Sequence, residues 1–287
     1  MLEDCVGIIS LGEMGSGIAG SLVSAGRCVV TDFEGRSSAT VERARKAGVE
    51  DAGGVEGLVS EAGVVVSIVP PAAAREVGHR LAAAVRSTGA TPLVVDANAI
   101  SPARAQELAG ELAAAGATFV DGDVIGGPPA AGRPPTRLYL SGDEAGRAAS
   151  VLGTPELRAV VLTEGGDAAA SSLKMAYAAW TKGSAALVLT ARALARAYGV
   201  EDTLLAEWAE SQPDAVGRCQ VATHMSGRGW RFEGEMEEIA AALRSVGLPA
   251  GFAEGAAGAY HRLAPLKGEV SQSVEQVLHL LLASDGS

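Results

Sequence analysis

Along the first half of the chain, short apolar runs with a strand-like pattern alternate with stretches of helical period. The strand-like runs lie at 6–10, 27–31, 63–69, 92–96 and 117–121. Helical stretches separate them at 14–25, 38–47, 72–84 and 102–115. The run at 63–69 (GVVVSIV) is apolar throughout, as expected of a strand covered on both faces, and Pro70 and Pro71 end it. This alternation predicts a parallel sheet with helices on both faces. Residues 122–135 (GDVIGGPPAAGRPP) read as a Gly- and Pro-rich loop, a kind that often carries function. Two further strands, at 136–141 and 160–163, flank a short helix and extend the sheet.

After Gly165 and Gly166 only helical patterns follow. Asp167 is placed to cap a helix that runs to 198 and is ended by Gly199. The remaining helices are punctuated by Pro213, Gly227, Gly229, Pro249, Gly251 and Pro265. The expected organisation is an α/β domain over 1–165 and an all-α substrate and dimerisation domain over 166–287. The segment AALVLTARALA is apolar on all sides, which predicts a central helix covered by its neighbours and by a second copy in a homodimer.

Composition narrows the function classes. The chain of 287 residues is 48% hydrophobic and only 4% aromatic, so its core rests on aliphatic packing. A net charge of −11 would repel a phosphate backbone, which excludes nucleic acid as the expected partner. Cys5, Cys28 and Cys219 show no metal-ligand spacing. Cys5 and Cys28 lie in apolar strand-like runs and are expected as buried thiols. The opening MLEDCVGIIS has two acids and no basic region, which argues against a secretory signal. No uncharged apolar run reaches membrane-spanning length. The expectation is a cytoplasmic protein with neither a metal nor a membrane partner.

The strongest local signal is the run from Val6 to Ala19, VGIISLGEMGSGIA, which joins the first strand to the first helix. In the dinucleotide fingerprint, glycines at positions 1, 3 and 6 permit a tight turn, close approach of pyrophosphate and close helix packing. Those positions here are Ser10, Gly12 and Gly15, so the first glycine is replaced. The expected domain is therefore a Rossmann domain, with Ser10, Leu11, Gly12, Glu13, Met14 and Gly15 at the cofactor. Asp32 follows Gly12 by twenty positions and ends the second strand, where an acid can accept a ribose 2′-hydroxyl and favour NAD(H). Glu34 lies in the following loop. Arg36 and Ser37, at the start of the next helix, can instead grip a 2′-phosphate. NADP(H) is the expected cofactor on that ground, NAD(H) the alternative, with Asp32 then a solvated strand-end residue. Val69, Pro70 and Asn98 complete the expected cofactor set.

Four segments together resemble the β-hydroxyacid dehydrogenase superfamily, which includes 3-hydroxyisobutyrate dehydrogenase, 6-phosphogluconate dehydrogenase and the imine reductases. They are Ser10-Leu-Gly12-Glu-Met-Gly15, Val95-Asp96-Ala-Asn98-Ala-Ile-Ser101-Pro102, Phe119-Val-Asp121-Gly-Asp123-Val-Ile-Gly126-Gly127 and Leu173-Lys174-Met-Ala-Tyr177-Ala178. Their order and spacing agree with the family across nearly the whole chain. The resemblance implies a Rossmann domain followed by a helical domain, with Lys174 as catalytic acid/base and Asn98, Ala99, Gly126 and Gly127 holding a substrate carboxylate. Two departures stand out: Asn98 replaces a serine, and Ala178 replaces an asparagine that orients the lysine.

Lys174, Ala178 and Thr181 share one helix face, while Lys182 lies further round and could reach the cleft or a subunit interface. Tyr177 is the second proton-donor candidate. Asp123 is a candidate for a basic substrate, and Asp121 and Asp123 are equally suited to bonding loop amides. The tryptophans Trp180, Trp208 and Trp230 read as packing residues, and the acids between Glu233 and Glu238 as a solvated helix face. The leading reading is an NADP(H)-dependent oxidoreductase on a small, hydroxyacid-like alcohol/carbonyl pair. Alternatives are an imine reductase, with Tyr177 or Asp123 as proton source, and a non-catalytic regulator that binds nicotinamide nucleotide. The few basic groups near Asn98 and Lys174 argue against a phosphorylated sugar acid.

Overall fold

A computed structural model describes residues 2–269 and 271–283. The chain divides into two compact units, Met1–Lys174 and Met175–Ser287. In chain order the first contains β1 (Leu2–Ile9), α1 (Glu13–Ser24), β2 (Val29–Thr31), α2 (Ser38–Lys46), β3 (Glu50–Asp51), α3 (Val55–Glu61), β4 (Ala62–Ser67) and α4 (Pro71–Thr88). It continues with β5 (Leu93–Asp96), α5 (Pro102–Ala115), β6 (Thr118–Ile125), β7 (Thr136–Ser141), α6 (Ala145–Leu152), β8 (Leu157–Val161) and the start of α7 (Ala169–Ala197).

The strands form one eight-stranded sheet in the order β3-β2-β1-β4-β5-β6-β7-β8. All pairs are parallel except β6–β7. The first six strands have the doubly wound order, in which the crevice between β1 and β4 lies at the reversal of winding. Strand alternation sends successive side chains to opposite faces. Val64, Val66 and Val95 thus join one core with Ile18 and Leu22 of α1, and Val65 and Val94 join another with Leu58, Leu81 and Val85 of α3 and α4. All six residues of β4 are buried, as its unbroken apolar pattern predicts.

Three local expectations are corrected. Residues 50–61 carry a two-residue edge strand and a seven-residue helix, both too short to stand out by period. Cys5 and Cys28 are bridged by a disulfide rather than separate thiols. Parallel pairing of β1 with β2 brings their Cα atoms within 4.6 Å, inside bridging range. The amides opening α7 are taken up by side chains of β6 and β7 in place of Asp167: Ser171 N donates to Asp121 Oδ2 (2.9 Å) and Ala170 N to Ser141 Oγ (3.1 Å).

The second unit is helical among its described residues. It holds the rest of α7, then α8 (Glu201–Ser211), α9 (Pro213–Met225), α10 (Gly229–Ser245), α11 (Gly251–Arg262) and α12 (Val274–Leu282), with 3-10 turns at Ser226–Arg228 and Ala264–Leu266. The Phe252 ring of α11 lies over Gly183 of α7 in the space that a Cβ there would take. The acids on α10 are not all solvated: Glu235 and Glu238 are buried, and Glu235 pairs with Lys182 of α7. That pair gives Lys182 its place inside the helical unit. Tyr260 Oη donates to the Lys182 carbonyl at 2.7 Å, and its ring meets Phe232 edge-on. Trp180 is exposed rather than packed, with the Arg218 guanidinium over its ring at 5.0 Å. Among the described residues, no helix is long and apolar enough to cross a membrane.

Candidate active site

The glycine turn fits a pyrophosphate. Ser10 has φ +77°, alone among described non-glycine residues in the left-handed region, so it adopts the conformation for which the fingerprint's first position uses glycine. A Cβ on Gly15 would lie 2.0 Å from the Ser10 carbonyl oxygen, which fixes glycine there by close packing of α1 on the turn. A Cβ on Gly12 would meet only open space, and Gly12 caps α1 without a side-chain bond. The bare backbone and uncapped amides of α1 form a cradle of the kind that takes an anionic phosphate. Leu11 is buried, Met14 half-buried and Glu13 exposed. On the other side of α1, a Cβ on Gly17 would touch Pro128 and Pro129 at 3.0 Å, so the Gly/Pro-rich loop lies against this helix.

Asp32, just beyond β2, is not solvated: its side chain is 3% exposed. Its Oδ1 accepts from Glu34 N at 2.8 Å, and Oδ2 lies 3.6 Å from Arg80 Nη2 of α4. Glu34 is exposed and Arg36 half-buried. Ser37 is the N-cap of α2, its Oγ accepting from Thr40 N at 3.3 Å.

Asn98 ties together the ends of β4 and β5. Its Oδ1 accepts from Val69 N (2.6 Å), and its Nδ2 donates to Ser67 Oγ (3.0 Å) and Asp96 Oδ2 (2.8 Å). Asn98 N also donates to Asp96 Oδ1 at 3.0 Å. The residue is buried, and it positions the half-buried stretch of Val69 and Pro70. The neighbouring Ala99 is half-buried, whereas Gly126 and Gly127 are exposed.

Three aspartates gather at the end of β5 and along β6. Asp96 and Asp121 are register partners, and Asp121 faces Ser141 across the antiparallel pair. Burial pushes the Asp96 carboxyl up to about 7 against its hydrogen bonds from Asn98, and the nearby Asp121 and Asp123 charges push the same way. Burial likewise raises Asp121, opposed by hydrogen bonds from Ser171 and Ser141. Lys174, on the first turns of α7, donates to Asp123 Oδ1 and to the Val124 carbonyl, both at 2.7 Å. Its side chain is 12% exposed and that of Asp123 is 2% exposed.

Farther along α7, in the second unit, Tyr177 is exposed and Ala178 buried, and Thr181 Oγ1 donates to the Tyr177 carbonyl at 3.1 Å. The periodicity of the chain does not mark Arg80, Ser67, Ser141 or Ser171. The three-residue step from Ser171 to Lys174 on one helix was the available signal for Ser171.

A family model described as the NAD binding domain of 6-phosphogluconate dehydrogenase matches residues 5–152, over half the chain. The chain belongs to that family. It is an NAD(P)-dependent oxidoreductase of the β-hydroxyacid dehydrogenase superfamily, as the four segments imply. Residues 195–263 match a further model, a domain of unknown function (DUF1932). No curated protein sequence matches the chain. Among solved structures, a conserved hypothetical protein from Sinorhizobium meliloti 1021 is 28% identical, covering 96% of this chain and 95% of its own, with TM-score 0.64. The conserved protein MTH1747, described as structurally similar to 3-hydroxyacid dehydrogenases, is 28% identical over 91% of this chain and 97% of its own, with TM-score 0.65. The 3-hydroxyisobutyrate dehydrogenase of Mycobacterium tuberculosis, with L-serine, is 21% identical over 97% and 99%, with TM-score 0.69, a likeness of fold.

Proposed function

We propose that the protein is an NADP(H)-dependent dehydrogenase or reductase of a small, hydroxyacid-like alcohol and its carbonyl, with Lys174 as the acid/base. The observation that carries this reading is the Lys174 amine, largely withdrawn from solvent and held between Asp123 Oδ1 and the Val124 carbonyl. A bound nicotinamide supplies or accepts hydride. In reduction, the Lys174 ammonium gives a proton to the alkoxide oxygen as it forms; in oxidation, the neutral amine takes the hydroxyl proton. Asp123 fixes the amine in place. Asn98 holds the Val69 backbone, which with Pro70 would line the bound cofactor. The exposed backbone at Gly126 and Gly127, with Ala99, suits a substrate carboxylate.

NADP(H) is favoured over NAD(H) because the Asp32 carboxylate is already engaged by Glu34 N and lies near Arg80, while Arg36 lines the same cleft and Ser37 caps the helix that follows it. Imine reduction stands second, since its candidate acid Asp123 is paired with Lys174. A homodimer is part of the proposal: Leu187 and Leu194 of α7 and Tyr198 just after its end are 67%, 59% and 78% exposed, apolar surface suited to a second copy.

The test is a screen of small 2- and 3-hydroxyacids with NADP+, using wild type and Lys174→Ala. Loss of general acid/base catalysis is worth roughly 10²- to 10⁴-fold in turnover. The proposal expects a loss of that order with NADPH affinity kept within about twofold. Undiminished turnover in Lys174→Ala would overturn the role of Lys174. A protein that binds NADPH, turns over nothing and is indifferent to Lys174→Ala would be a regulator instead.

A further inference from the structure

The edge of the first unit beside β2 carries an arginine that the glycine turn does not explain. A small cleft there is lined by Ile9, Asp32, Arg36, Val55, Val77, Arg80 and Leu81. Its other lining residues are aliphatic, and two arginines from different elements border it: Arg36 from the turn after β2, closed by Arg36 N donating to the Phe33 carbonyl at 3.1 Å, and Arg80 from α4. Between them stands the buried Asp32 carboxylate. The cleft adjoins the end of β1, one residue before the Ser10 turn, on the side where a doubly wound sheet receives the adenosine half of a dinucleotide.

Asp32 is poorly disposed to serve a ribose hydroxyl. Oδ1 is used by Glu34 N in a tight turn, and Oδ2 faces Arg80 at 3.6 Å. The Arg80 side chain is half in solvent, so this is not a closed, structural ion pair. The separation exceeds that of a hydrogen bond, which leaves the donor edge of the guanidinium open to a stronger acceptor. A phosphate offers that acceptor, and planar guanidinium forks suit it. Besides Asp32, two nearby acids oppose an anion: Glu34 is exposed, and the Asp51 carboxylate accepts from Gly53 N (3.1 Å) and Phe33 N (3.4 Å), so more than one cation is needed to hold a phosphate here.

We propose that Arg80 is a specificity-determining residue that forms, with Arg36, a two-guanidinium clamp for the adenosine 2′-phosphate, and that Asp32 positions Arg80 rather than binding the ribose. This rests on the NADP(H) reading. It is tested on the full chain by calorimetric titration with adenosine 2′,5′-bisphosphate and adenosine 5′-monophosphate, which differ by the 2′-phosphate alone. Wild type is expected to bind the bisphosphate at least about tenfold more tightly, and Arg80→Ala to lose about tenfold for the bisphosphate and less than about twofold for the monophosphate.

Absence of a preference in wild type would overturn the NADP(H) reading and the clamp together. A wild-type preference that survives Arg80→Ala would overturn the clamp alone, as would equal loss of both ligands, which would make Arg80 an adenosine contact. Asp32→Asn separates the remaining role. Unchanged affinity for the monophosphate agrees with a positioning residue, and a loss of about fivefold or more would return Asp32 to the ribose and overturn that part of the proposal.

Discussion

Asp121 holds Ser171 with both carboxylate oxygens: Oδ2 accepts the backbone amide at 2.9 Å and Oδ1 the hydroxyl at 2.5 Å. Ser141 Oγ adds a bond to Oδ2 and accepts from Ala170 N. Side chains of β6 and β7 thus cap α7 three residues before Lys174 and set the height of the lysine along the helix. A negative group at a helix N-terminus is also favourable to the helix dipole.

Removing the carboxylate leaves the Ser171 amide buried without its acceptor. Asp121→Ala is expected to lose about 2–3 kcal/mol of stability, and Ser171→Ala about 1 kcal/mol, because only the hydroxyl bond is lost. Urea denaturation of the three proteins checks the order. Equal stability of Asp121→Ala and wild type would contradict the cap.

Asp96 gives the stability a definite pH dependence. Its folded value of about 7 lies above the unfolded range, so between about pH 4 and pH 7 the native state holds the extra proton. Stability is then expected to fall as pH rises through that window and to level off above it, with the raised Asp121 adding a slope of the same sign. Asp96→Asn should flatten the slope in part, at the cost of one hydrogen bond to Asn98. Denaturation midpoints at pH 5, 6, 7 and 8 provide the measurement, and a midpoint rising from pH 5 to 7 in wild type but not in Asp96→Asn would contradict the assignment.

The glycine turn yields opposite effects at two neighbouring positions. Ser10→Gly removes a left-handed penalty of about 1–2 kcal/mol, partly offset by the roughly 0.5–1 kcal/mol entropic cost of glycine, so the variant should melt slightly higher. Gly15→Ala drives a methyl into the Ser10 carbonyl and should lose about 1–3 kcal/mol together with nucleotide affinity. Thermal melts with and without NADPH distinguish the two, and a stable, binding-competent Gly15→Ala protein would contradict the close packing.

Much of the first unit was legible because its strands are buried on both faces and its helices are long. The strand at Thr136–Ser141 and helix α5 fall where the apolar pattern places them. Periodicity carries no direction, however, so the antiparallel turn of β7 against β6, which brings Ser141 beside Asp121, was not legible. Nor were β3 and α3, whose two and seven residues are too few for a period. The glycine turn and Lys174 were recognisable from local runs, because their chemistry requires particular residues at fixed spacing. Arg80 was not, since its partner Asp32 is on another element and an arginine on a helix surface has no distinguishing pattern. Glu235 was misread for the same reason: its partner, Lys182, belongs to another helix.

The measurement that tests the central claim most directly is a fluorescence titration of the purified protein with NADPH and, in parallel, NADH. The account predicts saturable binding of both, with NADPH at least about tenfold tighter, as expected of a charge-assisted phosphate contact. Equal affinity, or tighter NADH binding, would contradict the proposed cofactor preference, and binding of neither would contradict the proposed nicotinamide-dependent chemistry at Lys174.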